Sequence, residues 1–440
     1  MTFNDLPQEL LSLIVDELLD TKANLKTLST VSRSFLSLCR LHLFSTLRFN
    51  GLNPSFDYKC RALSDIIKRD KSILLNVRVL EIGPPVFRLR ERAPNLLSEH
   101  WGKMLRSGLP SIHDDRIRQI IEGARNVQSI TLRFEHQSWL KFSTPFRNTI
   151  LNAIRRSAVS FLSLEDISDF PIHALRACSG LHDLSLICIN SVSANSEGET
   201  DEVPESQTFL HGLTLYLSDE CAGPLMRSLL ATSSALSPVH LQRLSTSATC
   251  NTLWLTLQEM PTITRSITSL ELRIDRQEGY GGGYGKCNLN DFPSLRSLLV
   301  STPYIRQKRS IYHLQHFFEK ALLATELQEL AVFLRHEAVG FEAEEFEGAF
   351  GSQDLIEICQ DRDWLRLERQ LTSGRFPSMS KLEIVFRPKD VASFMNETLQ
   401  SVLQQHLMRN VVNLHRMANP SIEIYNDRFE QYSAQLPGTL

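Results

Sequence analysis

The sequence predicts an α/β protein in which a small helical module, residues 1–50, is followed by an irregular solenoid of parallel strands and helices. The first fifty residues carry apolar side chains at helical spacing, whereas short strands of the pattern Leu-x-Leu recur after amphipathic helices from residue 51 onward. Strands that alternate with helices favour a parallel sheet with right-handed crossovers. A doubly wound α/β domain is the alternative. It is disfavoured because the Leu-x-Leu pattern recurs too often for one compact sheet.

The first predicted helix begins at Pro7, because proline suits the first helical position, where its missing N–H would be unpaired anyway. Glu9 places negative charge in the first turn. A wide apolar stripe follows at helical spacing, made of Leu10, Leu11, Ile14, Val15 and Leu18. A short second helix is predicted from Asn24 and a third from about Ser32. About forty residues rarely bury enough surface to be stable alone, so the module is expected to associate with a partner.

The order and spacing of these residues resemble an F-box over about 45 residues. The match comprises Leu6-Pro7-x-Glu9-Leu10, Ile14, Leu25, Leu28 and Val31-Ser32-Arg33, with Phe35 where the family often has tryptophan. The resemblance implies docking to a Skp-type adaptor on a cullin scaffold, which carries a RING subunit and recruits a ubiquitin-conjugating enzyme. It implies that seven residues form the adaptor contact: Leu6, Pro7, Leu10, Ile14, Leu28, Val31 and Phe35. The alternative is an ordinary helical cap on the domain that follows.

Residues 51–389 are predicted to form one repeat domain. Ten strands are expected there, at 77–82, 127–134, 161–164, 181–186, 210–217, 252–257, 269–274, 295–300, 327–333 and 382–386. Helices are expected at 62–75, 115–125, 146–157, 171–178, 222–232, 312–324 and 353–371. The unit Leu181-x-x-Leu184-x-Leu186 resembles a leucine-rich repeat. Ile189 stands where that repeat has a polar Asn or Cys, so the resemblance implies an irregular solenoid.

The end of the chain, residues 390–440, is predicted to contain a capping helix at 390–417, a short strand at 422–425 and a tail. A terminal helix of this kind covers the open end of a repeat core. Three segments read as loops inserted into the repeats: the acidic segment 193–206, the Gly-rich segment 277–290 and the acidic, aromatic segment 337–350.

Composition excludes several classes of function. A net charge of −3 and a pI near 6.5 do not indicate a nucleic-acid-binding surface. The excess of basic residues in the segment 61–125 is interpreted as solvated helix surface. No run approaches the ~20 apolar residues of a membrane span, and the acidic N-terminus does not resemble a signal peptide. The eight cysteines form no CxxC pair. Free thiols in a reducing compartment are therefore expected, hence cytoplasm or nucleus.

No constellation predicts catalysis, a cofactor or a metal. The segment Gly281–Cys287 does not match a phosphate-binding loop, because Tyr280 stands where that motif has its first glycine and Cys287 stands where it has Ser or Thr. His313, His316 and Glu319 share one predicted helix but have no further ligand to complete a zinc site. Recognition is expected instead from strand residues that point away from the core, at Arg133, Tyr216, Trp254, Glu271 and Arg273. An exposed Trp254 would be a strong anchor for a target protein, unless a loop or helix covers it.

These features predict a non-enzymatic substrate-recognition subunit of a Skp/cullin/F-box ubiquitin ligase. The F-box would dock the adaptor, and the repeat domain would bind an unknown target protein. The alternative is an F-box-containing scaffold without a role in ubiquitylation. An enzyme on an α/β fold is the third hypothesis, and it would require a convergent polar constellation that the sequence does not contain.

Overall fold

The structure, a computed structural model, describes residues 6–18, 22–49, 56–83, 111–189, 208–217, 219–229, 236–248, 250–274, 287–304, 314, 317–319, 326–336, 363–373, 376–387, 405 and 419–424. The chain forms two compact units. Unit 1 comprises Met1–Leu210 and Pro224–Pro238, and unit 2 comprises His211–Gly223 and Val239–Leu440. This division falls inside the predicted repeat domain, and the predicted boundaries near residues 50 and 390 stay predictions.

Helices and strands alternate along the described chain. The helices are α1 Gln8–Glu17, α2 Lys22–Leu28, α3 Arg33–Leu43, α4 Phe56–Arg69, α5 Ser111–Gly123, α6 Thr144–Ile154, α7 Asp219–Leu229, α8 Asn251–Gln258, α9 Pro261–Ser266 and α10 Asp363–Leu371. The strands are β1 Thr46–Phe49, β2 Val79–Ile82, β3 Ser129–Ser138, β4 Phe161–Ser168, β5 Asp183–Ile187, β6 Thr208–Phe209, β7 Gly212–Tyr216, β8 Leu236–Ser237, β9 Arg243–Ser247, β10 Ser269–Arg273, β11 Ser297–Tyr304, β12 Glu329–His336, β13 Lys381–Arg387 and β14 Asn419–Ile424. Short 3-10 helices connect several of them, at Lys71–Asn76, Trp139–Lys141, Ile172–Ala177, Pro238–His240 and Leu289–Asp291.

Unit 1 contains five parallel strands in the order β1-β2-β3-β4-β5. Alternate residues of each strand point to opposite faces, so one apolar position per strand aligns into a row across the sheet. The first buried row is Leu47, Leu80, Ile130, Leu162 and Leu184. The second, two residues further along each strand, is Phe49, Ile82, Leu132, Leu164 and Leu186. A separate pair of two-residue strands, β6 and β8, is also parallel.

Unit 2 repeats this arrangement with seven parallel strands, β7-β9-β10-β11-β12-β13-β14. Its first buried row is Leu213, Leu244, Leu270, Leu298, Leu330 and Leu382. The second row contains one polar member, Thr246, between Leu215 and Leu272. Its hydroxyl donates to the Leu215 carbonyl at 2.8 Å, which satisfies the buried group.

The prediction of an α/β protein with a parallel sheet is confirmed, and nine of the ten predicted strand segments contain a strand. The prediction for 252–257 is wrong, because this segment is part of helix α8. Leu253, Trp254 and Leu257 fit one helix face and are buried. Strands β1, β6, β8 and β9 were not predicted. The predicted helix at 171–178 is a 3-10 helix, Ile172–Ala177.

Several predicted segments lie wholly or mostly outside the described residues. These are the helices at 312–324 and 390–417, the first part of the helix at 353–371, and the three loops at 193–206, 277–290 and 337–350. The predicted strand at 422–425 corresponds to β14. Within the part of the chain that the structure describes, no helix is both long and apolar enough to cross a membrane.

A buried threonine of β11 provides a test of this core. Thr302 is completely buried, and its hydroxyl has no hydrogen-bond partner among the described residues. An unpaired buried hydroxyl costs free energy, so Thr302→Val is expected to raise the free energy of unfolding by about 1 kcal/mol. The matched control is Thr246→Val, which is expected to lower it by about 1 kcal/mol because Thr246 is equally buried but hydrogen-bonded. Urea unfolding of both variants measures the difference, and equal shifts would contradict the prediction.

Candidate functional site

Helices α1, α2 and α3 of the N-terminal module enclose a core of their own. Six residues are buried there: Leu11, Val15, Leu25, Phe35, Leu38 and Cys39. Helix α3 begins after Ser32, whose side chain accepts a hydrogen bond from the Phe35 N–H at 3.3 Å. This is a standard cap for an N-terminal helix end. The core is small, because three short helices have few residues with which to bury an apolar stripe.

Part of the apolar surface of the module therefore faces solvent. Leu10, Leu13 and Val31 are 47%, 59% and 52% exposed, and Pro7 is exposed as well. Residues three or four apart share one face of a helix. Leu10 and Leu13 thus form an exposed apolar face of α1, while Leu11 and Val15 form its buried face. A helix that is apolar on both faces is suited to burial between its own module and a second protein.

The seven predicted adaptor contacts divide into three groups. Pro7, Leu10 and Val31 are exposed. Three others are partly buried and pack against the module core: Leu6, Ile14 and Leu28. Phe35, the seventh, is completely buried among the three helices, so it is not on the exposed surface of the module. The exposed Leu13 was not predicted, although its position one turn after Leu10 was visible in the sequence.

The module continues directly into the sheet of unit 1. Only Phe44 and Ser45 separate α3 from β1. The Ser45 carbonyl accepts hydrogen bonds from the N–H groups of Arg78 at 2.8 Å and Val79 at 2.9 Å. An ion pair of 3.1 Å between Arg40 Nη1 and Asp70 Oδ2 joins α3 to the start of the 3-10 helix Lys71–Asn76. The exposed leucines are therefore carried on a module that is fixed to the first strands.

The Asp70 carboxylate predicts a pH dependence of this junction. The Ser72 hydroxyl donates to Asp70 Oδ1 at 2.5 Å and lowers the pKa of Asp70, and the Ser72 N–H and the Arg40 guanidinium lower it further. A carboxylate whose pKa is lowered by folding contributes stability above its unfolded pKa of about 3.9. That contribution is lost as the pH falls through the folded value.

We therefore expect the thermal unfolding midpoint of the wild type to fall more than that of Asp70→Asn between pH 6 and pH 3. The asparagine still offers an oxygen to the Ser72 N–H but cannot pair with Arg40. Differential scanning fluorimetry at the two pH values measures the effect, because the other carboxylates are common to both proteins. Parallel pH profiles would contradict the prediction.

A polar cluster lies on the sheet of unit 2, on the face opposite the leucine rows. The Tyr216 hydroxyl and Ser245 Oγ share a hydrogen bond of 2.7 Å, and the Tyr216 hydroxyl donates to Glu271 Oε1 at 3.2 Å. The Arg273 guanidinium carbon lies 5.9 Å from the centre of the Tyr216 ring, within range of a cation–π interaction. Three of the predicted target contacts, Tyr216, Glu271 and Arg273, are thus brought together.

The electrostatics of this cluster suit recognition. Burial raises the pKa of Tyr216, and the adjacent Glu271 carboxylate raises it further. The phenol therefore stays protonated at neutral pH and acts as a hydrogen-bond donor. The Glu271 carboxylate and the Arg273 guanidinium place one negative and one positive group on the same face of the sheet.

The other two predicted target contacts are placed elsewhere. Arg133 belongs to unit 1, where its Nε pairs with Glu165 Oε2 at 2.7 Å. The Ser163 hydroxyl donates to the other oxygen of Glu165 at 3.1 Å. The expectation that Trp254 lies outward on a strand is corrected: its ring is buried on α8, where Nε1 donates to the Ala248 carbonyl at 3.2 Å. Its ring also packs edge-on against Phe292, with centroids 6.1 Å apart.

Among the described residues there is no group of three or more His, Cys, Asp or Glu side chains suited to a metal ion. His313 and His316, two members of the candidate metal set, lie outside the described residues. The seven described cysteines are free thiols. Burial raises the pKa of Cys178 to about 12, so this thiol is protonated and unreactive at neutral pH.

Comparison with known proteins gives no independent identification. No protein-family model matches the chain, and no curated protein is significantly similar to it in sequence.

Proposed function

We propose that this chain is a substrate-recognition subunit of a Skp/cullin/F-box ubiquitin ligase. Its N-terminal module is an F-box that docks a Skp-type adaptor, and through that adaptor it joins a cullin-RING scaffold. The observation that carries the proposal is the exposure of Leu10, Leu13 and Val31 on a module with F-box spacing. Covering one exposed leucine or valine stabilises a complex by up to about 1.5–3 kcal/mol.

The rest of the chain would be an irregular leucine-rich-repeat-like domain that binds a target protein. Parallel strands with aligned buried leucines support this, because each unit buries its apolar positions against its neighbours. Tyr216, Glu271 and Arg273 are the proposed target contacts of unit 2. The protein would act in the cytoplasm or nucleus, without a cofactor or catalysis of its own. It would accelerate ubiquitin transfer by holding a target lysine near the conjugating enzyme.

The adaptor contact is tested by co-purification of the chain with a Skp-type adaptor. We expect a one-to-one complex that is weakened about a hundredfold or more by the double substitution Leu10→Asp and Leu13→Asp, since two apolar contacts are replaced by charges. The control is Leu41→Asp on α3, a residue that is 48% exposed but not among the F-box positions. The proposal fails if the folded wild type does not bind, or if the control weakens binding as much as the double variant.

The scaffold alternative is separated by a second experiment. Proteins captured by the adaptor-bound chain are compared with those captured by a Tyr216→Phe, Glu271→Gln variant, which removes the hydrogen bond and the charge but keeps the shapes. A protein lost from the variant is the candidate target. Its ubiquitylation in a reaction reconstituted with the cullin, RING and conjugating subunits supports the ligase. Binding without modification favours the scaffold.

A further inference from the structure

Three arginines surround the turn between α5 and β3 in unit 1, residues 124–128. Arg156 donates to three main-chain carbonyls at the end of α5, those of Ile121, Glu122 and Ala124, at 3.1, 3.4 and 2.6 Å. Arg78 Nη1 donates to the Asn126 carbonyl at 3.3 Å. Arg125 lies within the turn and close to Arg156, whose pKa is lowered first by burial and then by the charge of Arg125. The turn is therefore a concentrated patch of positive charge.

The described residues leave this charge largely uncompensated. Arg78 and Arg125 are both exposed, and neither forms an ion pair with a described carboxylate. Glu122 is the nearby acid that offsets Arg156. Its carboxylate already accepts from Thr149 Oγ1 at 3.1 Å and lies 3.6 Å from Arg118 Nε. The two exposed guanidinium groups thus retain nearly all of their donors.

An exposed apolar residue belongs to the 3-10 helix that contacts the turn. The Asn126 side-chain amide donates to the Leu75 carbonyl at 2.8 Å, which holds the end of the 3-10 helix Lys71–Asn76 against the turn. Leu75 itself is 46% exposed. We name Leu75, Arg78 and Arg125 the basic turn patch. It combines two exposed guanidinium groups without a carboxylate partner among the described residues and one exposed leucine.

We propose that the basic turn patch docks an acidic segment of another protein that carries an apolar side chain next to its carboxylates. Guanidinium groups bind carboxylates through paired, charge-assisted hydrogen bonds, and Leu75 covers the apolar residue. Nucleic acid is the less suitable occupant, because its affinity depends on many phosphate contacts and the chain as a whole carries a net charge of −3. The patch shares no residue with the proposed adaptor contact or with the unit 2 cluster, so it goes beyond the proposed function.

The test uses a fluorescent peptide of alternating Glu and Leu residues and the intact chain, with fluorescence anisotropy as the readout. We expect binding that weakens with added salt, since exposed charge pairs are screened. The double substitution Arg78→Glu and Arg125→Glu is expected to weaken binding about tenfold or more. The matched control is Arg265→Glu with Arg296→Glu, which makes the same change of charge at two exposed arginines of unit 2.

Any of the following results would overturn the proposal. The first is an absence of peptide binding to the folded wild type. The second is equal binding of a peptide in which Gln replaces Glu, or equal loss in the unit 2 control. The third is a single-stranded oligonucleotide of the same charge that binds more tightly and displaces the peptide, which would assign the patch to nucleic acid. Far-UV circular dichroism checks that the variants are folded, which is expected because both substituted side chains are exposed.

Discussion

Phe35→Ala is expected to destabilise the N-terminal module by about 3–5 kcal/mol, the usual cost of removing a fully buried aromatic side chain. Phe35 is completely buried with Leu11, Val15, Leu25 and Leu38 in the only core that α1, α2 and α3 share among the described residues. A module with so few buried residues cannot refill the space. Hydrogen exchange of the amides of α1 to α3 measures the effect, and we expect their protection to collapse.

Leu13→Ala is the control for this prediction. Leu13 is on the same module but 59% exposed, so the variant is expected to change stability by at most about 0.5 kcal/mol. Unchanged protection in Phe35→Ala would show that the ring is not part of the core. The comparison also bears on adaptor binding: loss of binding in Phe35→Ala would reflect unfolding, whereas loss in the exposed-leucine variant would reflect the contact itself.

Gly83→Ala is expected to destabilise the start of the unit 1 sheet by about 3 kcal/mol or more. Gly83 follows β2 with φ +130°, a conformation that residues with a Cβ rarely adopt. A Cβ there would lie 2.0 Å from the Arg133 carbonyl oxygen, which belongs to the backbone of β3. Because a strand backbone cannot move aside without breaking its ladder, the strain has no local relief. The urea midpoint of unit 1 measures the loss.

Gly123→Ala serves as the matched control. A Cβ at Gly123 would approach Leu74 Cδ1 to 2.4 Å, but that atom is the terminal methyl of a side chain and not part of a strand backbone. Gly123 is also the last residue of α5, and alanine in a helix is favoured over glycine by about 0.5–1 kcal/mol. A net change within about 1 kcal/mol is therefore expected. If the two variants lose equal stability, the backbone contact at Gly83 is not the cause.

The parallel-strand architecture could be predicted because β3 and its neighbours alternate apolar and polar residues at period two. In β3, Ile130 and Leu132 occupy the first and the second buried row as expected. Strand β9 was missed because Thr246 stands where a Leu-x-Leu pattern requires an apolar residue. The structure satisfies that hydroxyl with the Leu215 carbonyl of the adjacent strand. A hydrogen bond to a residue about thirty positions away is invisible to a local pattern.

Helix α8 illustrates the opposite error. Leu253, Leu255 and Leu257 alternate as in a strand, but Leu253, Trp254 and Leu257 also fit one helix face. The observed burial follows the helical spacing and not the strand spacing: Leu255 is 43% exposed, whereas Leu253, Trp254 and Leu257 are buried. For the same reason the sequence could not separate Phe35 from the surface leucines of the N-terminal module. A wide apolar stripe predicts which residues are buried. It does not predict whether each of them packs inside the module or against another protein, because this depends on the angles between the helices.

The order of strands within each sheet has a consequence for how the protein is made. In unit 1 each strand from β2 to β5 pairs with the strand that precedes it in the chain. In unit 2 the strands from β10 to β14 do the same, while β9 pairs with β7. The strand with which each new strand pairs has therefore already been synthesised when the new strand leaves the ribosome. Each sheet can therefore grow one strand at a time, and each new strand covers the edge of the strand made before it.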